Sequence, residues 1–245
     1  MRTRFATWAL AMLFFGAAPA FANGASFNFS FGGPDTALGT SQSYTSNGAT
    51  ITANGYVCSA TDSTTSATLS NCSATNLFAK SDGPNETGLG LAGQGNGENE
   101  IGFDGSNADY VIGLNVSSLF NLGATSMTLS FGSVQPGEAY AILGYGSDPF
   151  LSSSFALTNT QAWVGNDGST SAQVFSSTIS LNANDQFLVL VSPCGASLNP
   201  PPCGSNVTLD SLTAPTPEPG TLALLGTGLL AFGFGLRRRF ANHAA

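Results

Sequence analysis

The chain has 245 residues, of which 8% are charged, against about 25% in an average soluble protein. Arg2 and Arg4 open it and Arg237, Arg238 and Arg239 nearly close it, while residues 23–214 hold Lys80 as their only basic residue against thirteen Asp and Glu, a net charge of about −12. Such a body cannot neutralise phosphates, which excludes nucleic acid as a partner. The only histidine, His243, lies in the tail, so the body has no base for a Ser–His–Asp triad and no histidine ligand for zinc.

In chain order, residues 1–22 read as a secretory signal peptide. Arg2 and Arg4 form the basic region, residues 6–18 the apolar stretch, and Ala20-Phe21-Ala22 the small-x-small pattern. The expected path is the Sec machinery, followed by signal peptidase cutting between Ala22 and Asn23. The apolar run is short for an uncleaved anchor.

Residues 23–214 form the body. Short runs of β-branched and aromatic residues, several alternating apolar and polar, predict strands at 26–31, 49–53, 55–59, 76–80, 109–115, 126–131, 139–144, 154–158, 173–181, 186–191 and 206–212, with one helical turn at 117–122. Gly, Pro, Asn and Asp punctuate the gaps, and no long amphipathic helix is visible. The expected fold is all-β: a single antiparallel β-sandwich or jelly-roll-like domain, flanked by an N-terminal signal helix and a C-terminal transmembrane helix.

Four cysteines, Cys58, Cys72, Cys194 and Cys203, remain after export. An even number in an oxidising compartment predicts two disulfides, and three pairings are open. The nearest-neighbour pairing, Cys58 with Cys72 and Cys194 with Cys203, closes two short loops, the second stiffened by Pro200, Pro201 and Pro202.

The densest polar constellation lies at 82–109, which carries six of the thirteen acids of the body. Carboxylates, Asn side chains and Gly-permitted backbone carbonyls are the hard oxygen ligands of Ca²⁺, so Asp82, Glu86, Glu98, Glu100 and Asp104 are candidate calcium ligands. The spacing is neither an EF-hand nor a nonapeptide repeat, and a solvated acidic loop is the alternative. Glu98, Glu100 and Asp104 are also the carboxylates on which glycoside cleavage would draw, but nothing singles out a pair, and no catalytic residue is assigned. Tyr44, Tyr56, Tyr110, Tyr140, Tyr145 and Trp163 suit either sugar stacking or core packing. The sequons at Asn28, Asn71, Asn85, Asn115 and Asn206 follow from composition, and no glycans are assigned to them.

The C-terminus is the most specific part. Residues 220–236 run for 17 positions without a charge, roughly 26 Å as a helix, enough for a thin bilayer. Arg237, Arg238 and Arg239 follow and belong in the cytoplasm by the positive-inside rule, with residues 240–245 as a short cytoplasmic tail. Pro215, Pro217 and Pro219 keep the preceding chain extended and accessible. Pro217-Glu218-Pro219, then Leu222-Ala223-Leu224-Leu225-Gly226, Gly228-Leu229-Leu230 and the arginines, together resemble the PEP-CTERM sorting signal over residues 215–239. The resemblance implies a Gram-negative bacterium that makes exopolysaccharide, and an exosortase, an integral-membrane cysteine-protease-like enzyme, acting near Pro217-Glu218-Pro219. It implies a chain held transiently in the inner membrane with its body periplasmic, then delivered to the cell surface or beyond. More loosely, the stretch 76–103, with Gly132-Ser133-Val134 and Gly137-Glu138, is similar to a recurring type of PEP-CTERM surface domain, a β-sandwich of unassigned activity. The expected role is a structural or interaction component of envelope or biofilm. The alternatives are a carbohydrate-binding module for exopolysaccharide, with or without calcium, and, third, a glycoside-acting enzyme.

Overall fold

Hydroxyl-bearing residues alternating with apolar ones set most of the strands, and turn chemistry sets their partners. The clearest case is the first hairpin. β3 (Ser41–Ser46) and β4 (Ala49–Thr61) are joined by Asn47 and Gly48 at φ 48° and 80°. Both values are positive, as a two-residue turn that matches strand twist requires, and Asn-Gly is the pair that tolerates this best. The ladder then runs from Ser46 opposite Ala49 to Ser41 opposite Asn54. The structure is a computed structural model that describes residues 24–30, 33–61, 68–83, 85–94, 97–103, 108–136, 138–156, 160–165, 172–191, 206–215, 226–229 and 232.

The remaining strands are β1 (Ala25–Asn28), β2 (Thr36–Gly39), β5 (Thr68–Ala74), β6 (Leu77–Ser81), β7 (Thr87–Leu91), β8 (Ile101–Phe103), β9 (Ala108–Asn115), β10 (Ser126–Val134), β11 (Ala139–Tyr145), β12 (Ser154–Ala156), β13 (Thr160–Gly165), β14 (Gln173–Ser180), β15 (Phe187–Val191) and β16 (Asn206–Ala214). A single helical turn, α1 (Ser117–Asn121), follows β9 where the sequence predicts it. The expected strands 49–53 and 55–59 are one continuous strand, β4.

Every pairing among the described residues is antiparallel, as expected for an all-β chain. In one set of strands β14, β10 and β16 lie side by side. β1 and β7 share the far edge of β16, and β6 and β2 follow β7. In the second set the order is β13, β11, β15, β9, β4, with β8 also on β9, β3 and β5 sharing the outer edge of β4, and β12 beyond β5. The two sets are not separate sheets. Asn206 and Val207, at the start of β16, pair with Gly102 and Ile101 of β8 in the second set, which makes one continuous network of sixteen strands.

The main core collects inward residues of both sets: Leu129 and Phe131 of β10 and Leu209 and Leu212 of β16 from one, Ile112 and Leu114 of β9 and Leu188 and Leu190 of β15 from the other. Each such fully buried side chain contributes about 1.5–3 kcal/mol. The outward positions of the first set are small and uncharged. Ser26, Thr213, Thr128 and Thr178 form one rank across β1, β16, β10 and β14, and Asn28, Ser211, Ser130 and Ser176 form the next. Thr128 bonds Thr178 and Ser130 bonds Ser176, each at 2.7 Å. The far face of the second set is apolar instead. Cys58, Val111, Leu143, Phe187 and Val189 are buried there, with Tyr56, Tyr145 and Phe150 packed against them.

One compact unit spans Gly24–Thr216, and the chain ends belong to a second. Of the expected membrane segment 220–236, residues 226–229 and 232 are described and helical, and Leu229 and Phe232 are exposed. Among the described residues no helix is long and apolar enough to cross a membrane. The expected signal helix, residues 1–22, lies outside the described residues.

Candidate functional site

The acidic stretch closes around a lysine. Lys80, on β6, places its Nζ 2.7 Å from Glu100 Oε1, 3.4 Å from Asp82 Oδ2 and 3.7 Å from Glu98 Oε2. Lys80 and Glu100 are 4% and 1% exposed, whereas Asp82 and Glu98 are half exposed. Gln94 fixes the backbone of Glu100 from both sides: the Glu100 N–H donates to Gln94 Oε1 at 3.1 Å, and Gln94 Nε2 donates to the Glu100 carbonyl at 2.8 Å. Burial raises the Glu100 carboxyl above its ordinary value, although the Lys80 ammonium and the Ser133 hydroxyl oppose the rise. Burial alone would lower Lys80, but its bonds and charge pairing with Glu100 and Asp82 win, and its net shift is upward. Glu138 belongs to the same electrostatic neighbourhood. Burial pushes its carboxyl up to about 7, opposed by N–H bonds from Gln135 and Asn206 and aided by the charges of Glu100 and Glu98. Those bonds measure 2.6 and 3.1 Å.

Of the five candidate calcium ligands, three therefore meet, and what they meet on is an ammonium. Glu86 is engaged in a backbone turn with Asp82 and Gly83, and Asp104 lies outside the described residues. Among the described residues no group of three acidic, Cys or His side chains is disposed to hold a metal ion. A cation at this place would have to compete with Lys80. The reading of the stretch as a solvated loop fits Asp82 and Glu98 but not Glu100, which is fully buried.

Cys58 and Cys72 form a disulfide between β4 and β5. The two strands slip register there, with Asn71 in the left-handed region at φ 50°. Cys194 and Cys203 lie outside the described residues, as do Ala20, Ala22, Asn23, Pro217, Glu218, Pro219, Arg237, Arg238 and Arg239. The aromatics divide. Tyr140 is fully buried, stacks on Phe131 at 3.9 Å and bonds Ser177. The Tyr110 hydroxyl donates to the Gly93 carbonyl at 2.7 Å, and Tyr44 packs edge-on against Phe29. The Tyr145 phenol is pushed up to about 12 by burial. The Trp163 position falls on β13, but its side chain is not among those described.

Tyr56 leads to a feature that sequence reasoning missed. Its ring stacks on Phe150 at 3.7 Å and 11°, and Phe150 meets Phe187 edge-on at 6.2 Å. Phe150 is placed by a 3-10 turn, Pro149–Leu151, which Asp148 caps by accepting the Phe150 N–H at 2.9 Å. The rings lie over Gly113 of β9, where a Cβ would come within 2.9 Å of Phe187 and 3.0 Å of Phe150. Beside this wall opens a cleft of about 370 Å³. Thr52 and Asn54 of β4 line one side, and Asn115 and Ser117 line it where β9 turns into α1. Gly146–Asp148 after β11, with Gln186 and Phe187 at the start of β15, complete it. Asn115 Oδ1 accepts from the Ser117 N–H and O–H at 3.1 and 2.7 Å. These residues are scattered over some 135 positions of chain, so no local pattern announces them; the one usable cue was the Gly146-Ser147-Asp148-Pro149 turn signal.

An all-β body with a polar cleft that holds no cationic side chain thus precedes a distinctive tail. The tail matches a family model, the PEP-CTERM protein-sorting motif, at residues 215–239. The motif marks an exported protein that is directed toward the cell envelope and processed by exosortase. No curated protein matches the sequence. Among solved structures, two cleaved adhesin domains of Lys-gingipain are similar, the first from Porphyromonas gingivalis. Both are 11% identical, with TM-scores of 0.31 and 0.29, covering 79% and 78% of this chain and 95% and 96% of those chains. A variant of a family 29 carbohydrate-binding module is 9% identical with a TM-score of 0.23, covering 75% of this chain and 87% of that one. At these scores none of the three bears on the function of this chain.

Proposed function

We propose that this chain is a surface or extracellular-matrix protein whose C-terminal segment, residues 220–236, holds it briefly in the inner membrane with the body in the periplasm. Exosortase then acts near Pro217-Glu218-Pro219 and releases or transfers the body to the envelope or biofilm. The observation that carries this reading is the sorting-motif match at 215–239. The body, a β-sandwich or jelly-roll-like domain in this reading, acts by interaction and not by catalysis. Glu98 and Glu100, two of the three carboxylates considered for glycoside chemistry, are engaged by Lys80. The test is replacement of Pro217-Glu218-Pro219 by alanines in the native host. The expected outcome is a full-length chain retained in the inner membrane, and unchanged processing and surface delivery would contradict the proposal.

The polar, cation-free cleft beside Phe187 favours a second reading, in which the body is a carbohydrate-binding module for exopolysaccharide. A pull-down with the host's own polysaccharide separates the two: retention favours the module, and no retention favours a purely structural component.

A further inference from the structure

We infer that the cleft between β4, β9 and β15 binds a single neutral, hydroxyl-rich ring, such as one sugar unit of a glycan. The inference rests on the carbohydrate-binding reading and assigns it a site and a ligand class. Four observations combine. The volume, about 370 Å³, falls near the lower end of the roughly 300–1,000 Å³ typical of small-molecule sites, the range for a small ring and not for an extended chain. The lining carries no cationic side chain, so phosphate, sulfate and carboxylate ligands have nothing to offset their desolvation. The polar groups are amides and hydroxyls from Thr52, Asn54, Asn115, Ser117 and Gln186, which both donate and accept, beside the Asp148 carboxylate, which accepts. A ring bearing several hydroxyls matches that mixture of donors and acceptors, and internal bonds hold three of the groups in place: Thr52 to Ser43, the Ser117 hydroxyl to Asn115, and Gln186 Nε2 to the Ala183 carbonyl. Finally, Phe187, 5% exposed, adds a small apolar area to the lining, suited to contact with C–H groups of a sugar.

The wall is pre-positioned before any ligand arrives. Tyr56, Phe150 and Phe187 lock one another over Gly113, and Asp148 fixes Phe150 through its backbone N–H. Burial, and after it the nearby Asp148 charge, raise the Tyr56 phenol above its ordinary value. Preorganisation of this kind lowers the entropy lost on binding.

The experiment uses the full chain in detergent micelles, titrated by ligand-observed NMR with the methyl glycosides of glucose, galactose, mannose and N-acetylglucosamine, and separately with methyl glucuronide. At least one neutral glycoside should bind with a Kd of about 1 mM or tighter, and the glucuronide should bind at least about tenfold more weakly than its neutral counterpart. Asn54→Ala and Thr52→Val, both at partly buried positions of β4, should each weaken binding by about three- to tenfold while the chain stays folded, with at most a small drop in melting temperature for Thr52→Val, which loses its bond to Ser43. The inference is overturned if no neutral glycoside binds at about 10 mM, if both variants bind as the parent does, or if the glucuronide binds as well as the neutral glycoside. A negative titration alongside host-polysaccharide retention would sink this site and leave the carbohydrate-binding reading standing elsewhere on the body. Loss of that retention would sink the reading itself.

Discussion

The lysine-centred cluster and the cleft are opposites in construction. The cluster concentrates charge from neighbouring segments, residues 80 to 100, and spends it internally: a buried ammonium answers a buried carboxylate at 2.7 Å, with two half-exposed carboxylates beyond. The cleft draws on positions from 52 to 187 and carries one carboxylate and no cation. Density of functional groups along the chain is therefore a poor guide to where a ligand binds. Charges that lie close in sequence satisfy each other, whereas the polar groups of the cleft are gathered by tertiary structure around an apolar wall.

Breaking the cluster should have the largest effect. Lys80→Met leaves Glu100 buried without its partner and should cost about 3–5 kcal/mol in chemical denaturation at pH 7. The double variant Lys80→Met/Glu100→Leu should recover most of it, because an apolar pair does not need to be charged. If the single variant is as stable as the parent, the cluster is not the buried pair described. Cys58→Ser opens the disulfide on the side of the molecule that carries the cleft. For a separation of 14 residues the loss should be about 3 kcal/mol, read the same way. With Cys58 and Cys72 joined, the second disulfide expected from sequence can only be Cys194 with Cys203, which peptide mapping without reduction will show or exclude. Gly113→Ala forces a methyl group against two rings and should cost about 1–3 kcal/mol, and it should disturb the cleft while leaving Lys80 and Glu100 paired.

The last expected effect is that of pH. Glu138 titrates near 7 in the folded chain against an ordinary 4.5, so the folded state holds this proton more tightly than the unfolded one. The resulting stability is fully present below about pH 4.5 and is lost as pH rises through about 7. Glu100, also raised, acts in the same direction. Thermal melts from pH 4.5 to 8.5 should therefore decline, and Glu138→Gln should flatten the decline; a parent melt that rises across this window would contradict the assignment.

Much of the fold was legible because the strands of the first set alternate cleanly. Met127, Leu129 and Phe131 face inward while Ser126, Thr128 and Ser130 face outward, and the predicted 126–131 falls on β10. β3 was missed because its outward face is polar throughout and its inward face is carried by little more than Tyr44; the Asn47-Gly48 turn was the cue that could have found it. β7 was missed because Gly88 and Gly90 read as turn residues. They are there for space: a Cβ on Gly90 would lie 2.1 Å from the Asn99 carbonyl oxygen. The single basic residue of the body was visible in the sequence, but its position inside the acids was not, since β6 must pair with β7 before Lys80 and Glu100 can meet. The sorting signal was legible because it is a linear motif carried by consecutive residues, 215–239.

The account stands or falls on what happens to that signal. The direct measurement is the intact mass of the mature protein recovered from the envelope or medium of its native host. The account predicts a chain that begins at Asn23 and ends near Pro217-Glu218-Pro219, without the apolar segment 220–236 and the three arginines. A surface-delivered chain that still carries residues 220–245 would contradict it.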